Sequence, residues 1–332
     1  MKKRAPLFWI IILLSAALGF WIGKLYPQVS PAYPKEDTPI RQSGYIYTNP
    51  LLECENNGSF AKQKYIPFER KLVEKIEDNI TQNHSGVLLS VYFRNLNNGP
   101  WFGIRENNGY IPASLMKLTL LISYMKWWEE DPSLMGKKLI VKVNDEMNQV
   151  ILPEKQLQEW VEYTISELLY YLIVYSDNNA SKTLFENIPM ERQNKTFIDL
   201  WVPVPQDKDY TVSVKEYASF FRILYNASYL SPNSSEAALS ILASSKYTQW
   251  IRWWIDKNIV IAHKFGEREM IWENGIVFNQ LHDCGIVYHP RYPYLICIMT
   301  RWTQTLESLS TVISGTSKII FDEINLAYPY SK

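Results

Sequence analysis

The order in which one hydrophobic period gives way to another limits this chain to few architectures. Residues 87–93 alternate and are rich in β-formers, Asn97-Asn98-Gly99-Pro100 is a turn signal, and Trp101 to Ile104 supply a returning strand. From Leu115 the pattern turns helical. Residues 115–129 and 165–174 are apolar runs of good helix formers, and 212–230 and 234–242 open on Ser or Pro cap chemistry. Strand-type segments return at 260–265, 275–280, 284–289 and 294–301, followed by a last helix over 306–327. A further helix is expected at 67–82, where Phe68, Leu72 and Ile76 recur at four-residue spacing. Strands toward both ends around a helical middle predict an α+β domain whose sheet joins the two chain ends.

Three regions follow from the N-terminus onward. Lys2, Lys3 and Arg4 precede an apolar run from Leu7 to Gly23 that stops at Lys24. A run of about 17 residues sits at the lower edge of what crosses a hydrocarbon core of roughly 30 Å. Its basic flank favours an inside N-terminus with the remainder exported. A cleaved signal peptide is the rival, but Phe20, Trp21 and Ile22 stand where small residues would be wanted. Residues 1–24 are therefore expected to be a membrane anchor. Residues 25–64, with Pro27, Pro31, Pro34 and Pro39, are expected to be a stalk and connecting segment, and 65–332 the main globular domain. This arrangement predicts a membrane-anchored protein whose main domain is extracytoplasmic, at the cell surface or in a periplasm.

Charge excludes one class of partner. Lys+Arg and Asp+Glu both total 34, so nothing favours binding to nucleic acid. Cys284 and Cys297 flank a turn at His289 to Tyr292 and can face each other across two strands, either as a bridge in an oxidising compartment or as two buried thiols. His84, His263, His282 and His289 lack the Cys or carboxylate spacing of a zinc site, so neither metal nor cofactor is expected. A monomer is the expected state.

The chemistry rests on three short motifs. Ser114-Leu115-Met116-Lys117 follows Ile111-Pro112-Ala113, so a helix begins at Ser114 and Lys117 lies one turn on, on the same face. A serine hydroxyl needs a base, and an amine one turn away serves if burial or a neighbouring cation lowers its pKa. Ser176-Asp177-Asn178 follows the apolar helix ending at Tyr175, and Lys264-Phe265-Gly266 ends the strand that starts at Val260. Each motif alone is commonplace; the set, in this order and in these local structures, is not.

The set resembles that of the class A serine β-lactamases and related penicillin-binding proteins: Ser-x-x-Lys, Ser-Asp-Asn and Lys-Thr-Gly. The similarity extends to Ile261 to Lys264, His282 to Tyr288, Tyr294 to Arg301, Thr211 to Ala218 and Leu230-Ser231-Pro232. It spans about residues 65–330 and implies a β-lactamase/transpeptidase-like α+β fold. In that fold an antiparallel sheet from both chain ends packs against helices, beside a helical subdomain. The resemblance makes Ser114 the acylated nucleophile and Lys117 its base, directly or through water. Ser176 becomes the proton relay to the leaving nitrogen, and the backbone N–H groups of Ser114 and Glu267 become the oxyanion hole. Asn178, Lys264, Phe265 and Gly266 take substrate-binding positions, with Asp177 structural. The implied substrate is a small β-lactam or a cell-wall peptide.

Two departures stand out. Phe265 occupies the slot of a hydroxyl residue that would bind the substrate carboxylate, and a lost hydrogen bond to a charged group costs roughly 1.5–3 kcal/mol. The stretch from Trp201 to Tyr210 replaces a longer loop and carries no Glu to activate a deacylating water, only Asp207 and Asp209. Three functions remain open: a working serine hydrolase, a slowly deacylating D,D-peptidase or penicillin sensor, and a non-catalytic binding module.

Overall fold

The computed structural model describes residues 40–53, 66, 68–97, 99–142, 151, 154–206, 210–271 and 275–330. The expected anchor lies outside them, as do Asp207 and Asp209. Among the described residues no helix is long and apolar enough to cross a membrane.

In chain order the elements begin with β1 (Ile40–Arg41), β2 (Leu51–Glu53), α1 (Glu69–Asn83), β3 (Leu88–Asn95) and β4 (Trp101–Ile104). A 3₁₀ turn, Ala113–Met116, then leads into α2 (Lys117–Glu130). Next come β5 (Lys138–Ile140), β6 (Glu162–Thr164), α3 (Ile165–Val174), α4 (Asn178–Glu186) and α5 (Met190–Asp199). They are followed by α6 (Val214–Tyr225), α7 (Pro232–Ala243), β7 (Ile261–Ile271), β8 (Val277–Val287), β9 (Tyr294–Trp302) and α8 (Leu306–Ala327). The main sheet has the order β4-β3-β9-β8-β7 and is antiparallel throughout. The expected union of the chain ends is the β3–β9 pair, in register from Leu88 opposite Arg301 to Asn95 opposite Tyr294.

The sheet is buried on both faces, which is why β9 reads as an uninterrupted apolar run. Tyr294, Ile296 and Ile298 enter one core with Leu72 and Ile76 of α1 and Leu309 and Ile313 of α8. Leu295, Cys297 and Met299 enter the other, with Leu118 and Leu121 of α2, Leu172 of α3 and Phe221 of α6. Side chains that alternate along one strand thus anchor two layers. Cap chemistry sets the helix starts. Thr164 Oγ1 accepts from Glu167 N at 3.2 Å while Glu167 Oε2 accepts from Thr164 N at 2.8 Å, and Ser213 and Glu216 do the same for α6.

Two sequence expectations need amendment. Segments 275–280 and 284–289 form one strand, β8, because His282 and Asp283, fully buried, find partners on other elements. His282 Nε2 donates to Ile111 O at 3.1 Å, and Asp283 Oδ1 lies 2.9 Å from His263 Nδ1. Residues 40–53, assigned to the stalk and connector, lie against the domain. The Glu236 carboxylate of α7 accepts the backbone N–H groups of Ile46, Tyr47 and Thr48, and Arg41 Nη1 donates to Asn226 Oδ1 at 3.0 Å. Cys284 and Cys297, paired in register on β8 and β9, are joined in a disulfide.

Candidate active site

The turn that carries Ser114 is pinned from three directions. His282 Nε2 donates to Ile111 O, Ile111 N donates to Gln280 Oε1 at 3.3 Å, and Tyr217 Oη donates to Leu115 O at 2.9 Å. Burial lowers the His282 pKa to about 4, so the ring is neutral and its Nε2 carries the proton for Ile111. Just before Ser114 the backbone is left-handed, with Ala113 at φ 48°, and Ser176 stands at φ 54°. Gly266 brings the outer edge of β7 against this turn. A Cβ there would lie 2.5 Å from Pro112 O and 3.0 Å from Leu115 N.

Two lysines converge on the Ser176 hydroxyl from opposite elements. Lys117 Nζ of α2 lies 3.2 Å from Ser176 Oγ, and Lys264 Nζ of β7 lies 2.9 Å from it. Lys117 also donates to Ser176 O and, at 2.7 Å, to Asn178 Oδ1, while Lys264 donates to Phe265 O at 2.8 Å. Both side chains are buried, 5% and 1% exposed. Burial lowers the Lys117 pKa to about 7, against the opposing pull of Asp177 and Glu267. Burial and then the charge of Lys117 hold Lys264 well below its ordinary value. Two ammonium groups on one hydroxyl disfavour the doubly charged state, so one amine of the pair is readily neutral near neutral pH. Asp177 caps α4 through Oδ1, which accepts Ala180 N at 2.7 Å.

Ser114 lines a groove of about 840 Å³ with Lys117, Asn178 and Glu267. Among the described residues Ser114 Oγ makes no hydrogen bond. The donors of Lys117 are directed to Ser176 and Asn178 instead. Motif positions Ser114, Lys117, Ser176, Asn178, Lys264 and Gly266 are thus assembled in one place. Phe265 does not line the groove: its ring, 2% exposed, lies under Lys264 Nζ, 4.1 Å from the centroid, with the Tyr247 and Trp250 rings at 4.2 and 4.5 Å. Glu267, expected to act through its backbone, also brings its carboxylate into the groove wall, where Oε1 accepts Ile151 N at 2.7 Å. Phe185, Gln193 and Pro205 also line the groove, as does Glu269 of β7. Glu191 is exposed on α5. Sequence reasoning missed His282, Gln280 and Tyr217 as positioning groups. The available signal was the polar run Asn279-Gln280 and His282-Asp283 inside a strand flanked by apolar residues, since polar groups buried there need hydrogen-bond partners.

A family model for a beta-lactamase enzyme family matches residues 71–324. Solved structures of similar fold include an acyl-enzyme complex of a PBP-A variant with penicillin G. That chain is 19% identical, with 77% of this chain and 97% of that chain covered at a TM-score of 0.64. The TLA-1 extended-spectrum β-lactamase is 18% identical, covering 77% and 98% at 0.67. A β-lactamase from Chitinophaga pinensis is 17% identical, covering 77% and 100% at 0.67. No curated protein matches the sequence.

Proposed function

The chain belongs to the β-lactamase enzyme family, and on that premise we propose that it is a serine hydrolase working through a Ser114 acyl-enzyme. One observation carries the reading: a lysine one turn from Ser114 has its pKa lowered to about 7 by burial and is joined through Ser176 to a second buried lysine. Ser114 Oγ attacks the carbonyl carbon of a β-lactam or related amide, and its proton passes to the neutral Lys117 amine. The C–N bond breaks, and the proton travels from Lys117 through Ser176 to the leaving nitrogen. The developing oxyanion is received by the N–H groups of Ser114 and Glu267, a site the close approach at Gly266 supports. Lys117 occupies Asn178 Oδ1, which leaves the Asn178 amide NH₂ to donate to the substrate.

The stretch from Trp201 to Tyr210 carries no Glu, and the carboxylates that line the groove among the described residues, Glu267 and Glu269, sit on β7; this supports slow deacylation. A long-lived adduct is the behaviour of a penicillin-binding D,D-peptidase or sensor acting on cell-wall peptide. The basic-flanked apolar run from Leu7 to Gly23 is proposed to anchor the protein with this domain outside the cytoplasm, and the Cys284–Cys297 disulfide supports an oxidising compartment. The test is intact mass of the full chain over time with a fluorescent penicillin. A transient adduct supports hydrolysis and a persistent one the slow-turnover reading. An adduct that survives Ser114→Ala refutes the nucleophile, and no adduct refutes acylation by β-lactams.

A further inference from the structure

A second groove, about 460 Å³ in volume, lies between the β3–β4 edge of the sheet, α6 and the start of the 201–206 stretch. It shares no lining residue with the groove at Ser114. Three cations line it: Arg94 of β3, and Lys215 and Arg222 of α6. Among the described residues none of them is paired with a carboxylate. The one acid in the lining, Glu216, is committed to the helix cap, its Oε2 accepting Ser213 N and Ser213 Oγ, each at 2.8 Å.

These cations are held rather than scattered. Arg94 Nη1 donates to Tyr92 Oη at 3.3 Å, and Gly99 makes room for it, since a Cβ there would lie 3.2 Å from Arg94 Nη2. Tyr92 and Trp101 stack at 5.5 Å with planes 22° apart, and Lys215 Nζ sits 5.0 Å from the Trp101 centroid. Partial desolvation and then the charge of Arg94 pull the Arg222 guanidinium below its ordinary value, although much of the side chain stays open to solvent. Like charges brought together oppose folding, and a bound anion would relieve that cost. Trp201, left-handed at φ 55°, holds an indole 93% exposed at the rim. Its ring face is open for stacking at the rim of the groove.

The geometry points to a binding site for a negatively charged saccharide, its acid group on the guanidinium forks of Arg94 and Arg222 and its ring face on the exposed indole of Trp201. Guanidinium forks match carboxylate and phosphate oxygens in pairs. Asn107 and Ser219 in the lining supply polar partners for hydroxyl groups.

Calorimetry and thermal shift on the full chain test this, with glucuronate, glucose 6-phosphate, glucose, inorganic phosphate and AMP at fixed ionic strength. Both acid sugars should give saturable binding and raise the Tm, whereas glucose and inorganic phosphate bind at least tenfold more weakly. Arg222→Gln should abolish the shift without lowering the Tm of the unliganded protein, because it removes a like-charge repulsion. Trp201→Ala should weaken the acid sugars by roughly tenfold, about 1.4 kcal/mol. Ser114→Ala should change nothing. The proposal is overturned if neither acid sugar binds saturably, if phosphate or AMP binds as well as they do, or if Arg222→Gln binds normally.

Discussion

Gly266→Ala tests whether the edge of β7 must press against the nucleophile turn. The added Cβ would lie 2.5 Å from Pro112 O and 3.0 Å from both Leu115 N and Leu115 Cγ. Favourable contact begins near 3.5 Å, so the strand and the turn must part by about 1 Å. Two of the three obstacles are backbone atoms, in a turn already held by His282, Gln280 and Tyr217, so the strain cannot be shed by rotating a side chain. Overpacking of this kind costs about 1–3 kcal/mol. The larger effect falls on chemistry, since a displacement of about 1 Å at a reacting centre costs on the order of 10²-fold in rate. Gly136→Ala is the control: nothing lies within 4 Å of its Cβ, and the change should be neutral or stabilising by up to about 1 kcal/mol. The assay is the rate of adduct formation on Ser114 by intact mass, beside urea unfolding. A Gly266→Ala protein that acylates within threefold of the parent at unchanged stability would refute the reasoning.

Acylation should rise as pH passes upward through about 7, because the Lys117 amine accepts a proton only when neutral; a rate flat from pH 5.5 to 8.5 would remove Lys117 as base. The sign for stability is the same. The unfolded chain holds this proton up to its ordinary value of 10.5 and the folded chain releases it near 7, so the contribution of Lys117 to stability grows as pH rises between those values. Glu267→Gln removes a carboxylate that raises the Lys117 pKa, so the midpoint of that rate profile should move to lower pH; movement upward would mean that the carboxylate acts otherwise. The Cys284–Cys297 bridge, 13 residues apart in sequence, should contribute about 3 kcal/mol, read from urea midpoints with and without reductant. Coincident midpoints would show that it does not constrain the unfolded chain.

The layout was legible because hydrophobic period is a local property: 87–93 and 294–301 announce strands, 115–129 and 306–327 announce helices, and the structure has elements at each. Where the reading broke, the deciding atoms were distant in sequence. His282 and Asp283 look like a strand break, yet Ile111 and His263 supply what their burial requires. Residues 40–53 fall in the stretch read as stalk and connecting segment because no clear period marks them, and they dock by hydrogen bonds to Glu236 and Asn226. Motif spacing located Ser114, Lys117, Ser176 and Lys264. It could not say that Phe265 would turn inward onto Tyr247 and Trp250, nor that Glu267 would reach across to Ile151.

The arrangement at Ser176 is hard to explain as architecture. Burying an ammonium group costs several kcal/mol even after relaxation, and here two are buried on one hydroxyl with no carboxylate in a salt bridge to either among the described residues. Their partners are neutral: the hydroxyl and carbonyl of Ser176, the amide of Asn178 and the carbonyl of Phe265. Such partners satisfy hydrogen bonds but offset little of the desolvation, which is why both pKa values fall. A fold seeking only stability would gain by placing methionine in either position, and the surrounding core, with Phe265, Tyr247 and Trp250 packed beside Lys264, has to offset what the pair costs. What the cost secures is an amine that is neutral near pH 7, one helical turn from Ser114 and already bonded to a hydroxyl that can pass its proton on. In the proposed reaction that combination would carry the proton to and from Ser114, a use that its cost to the fold fits.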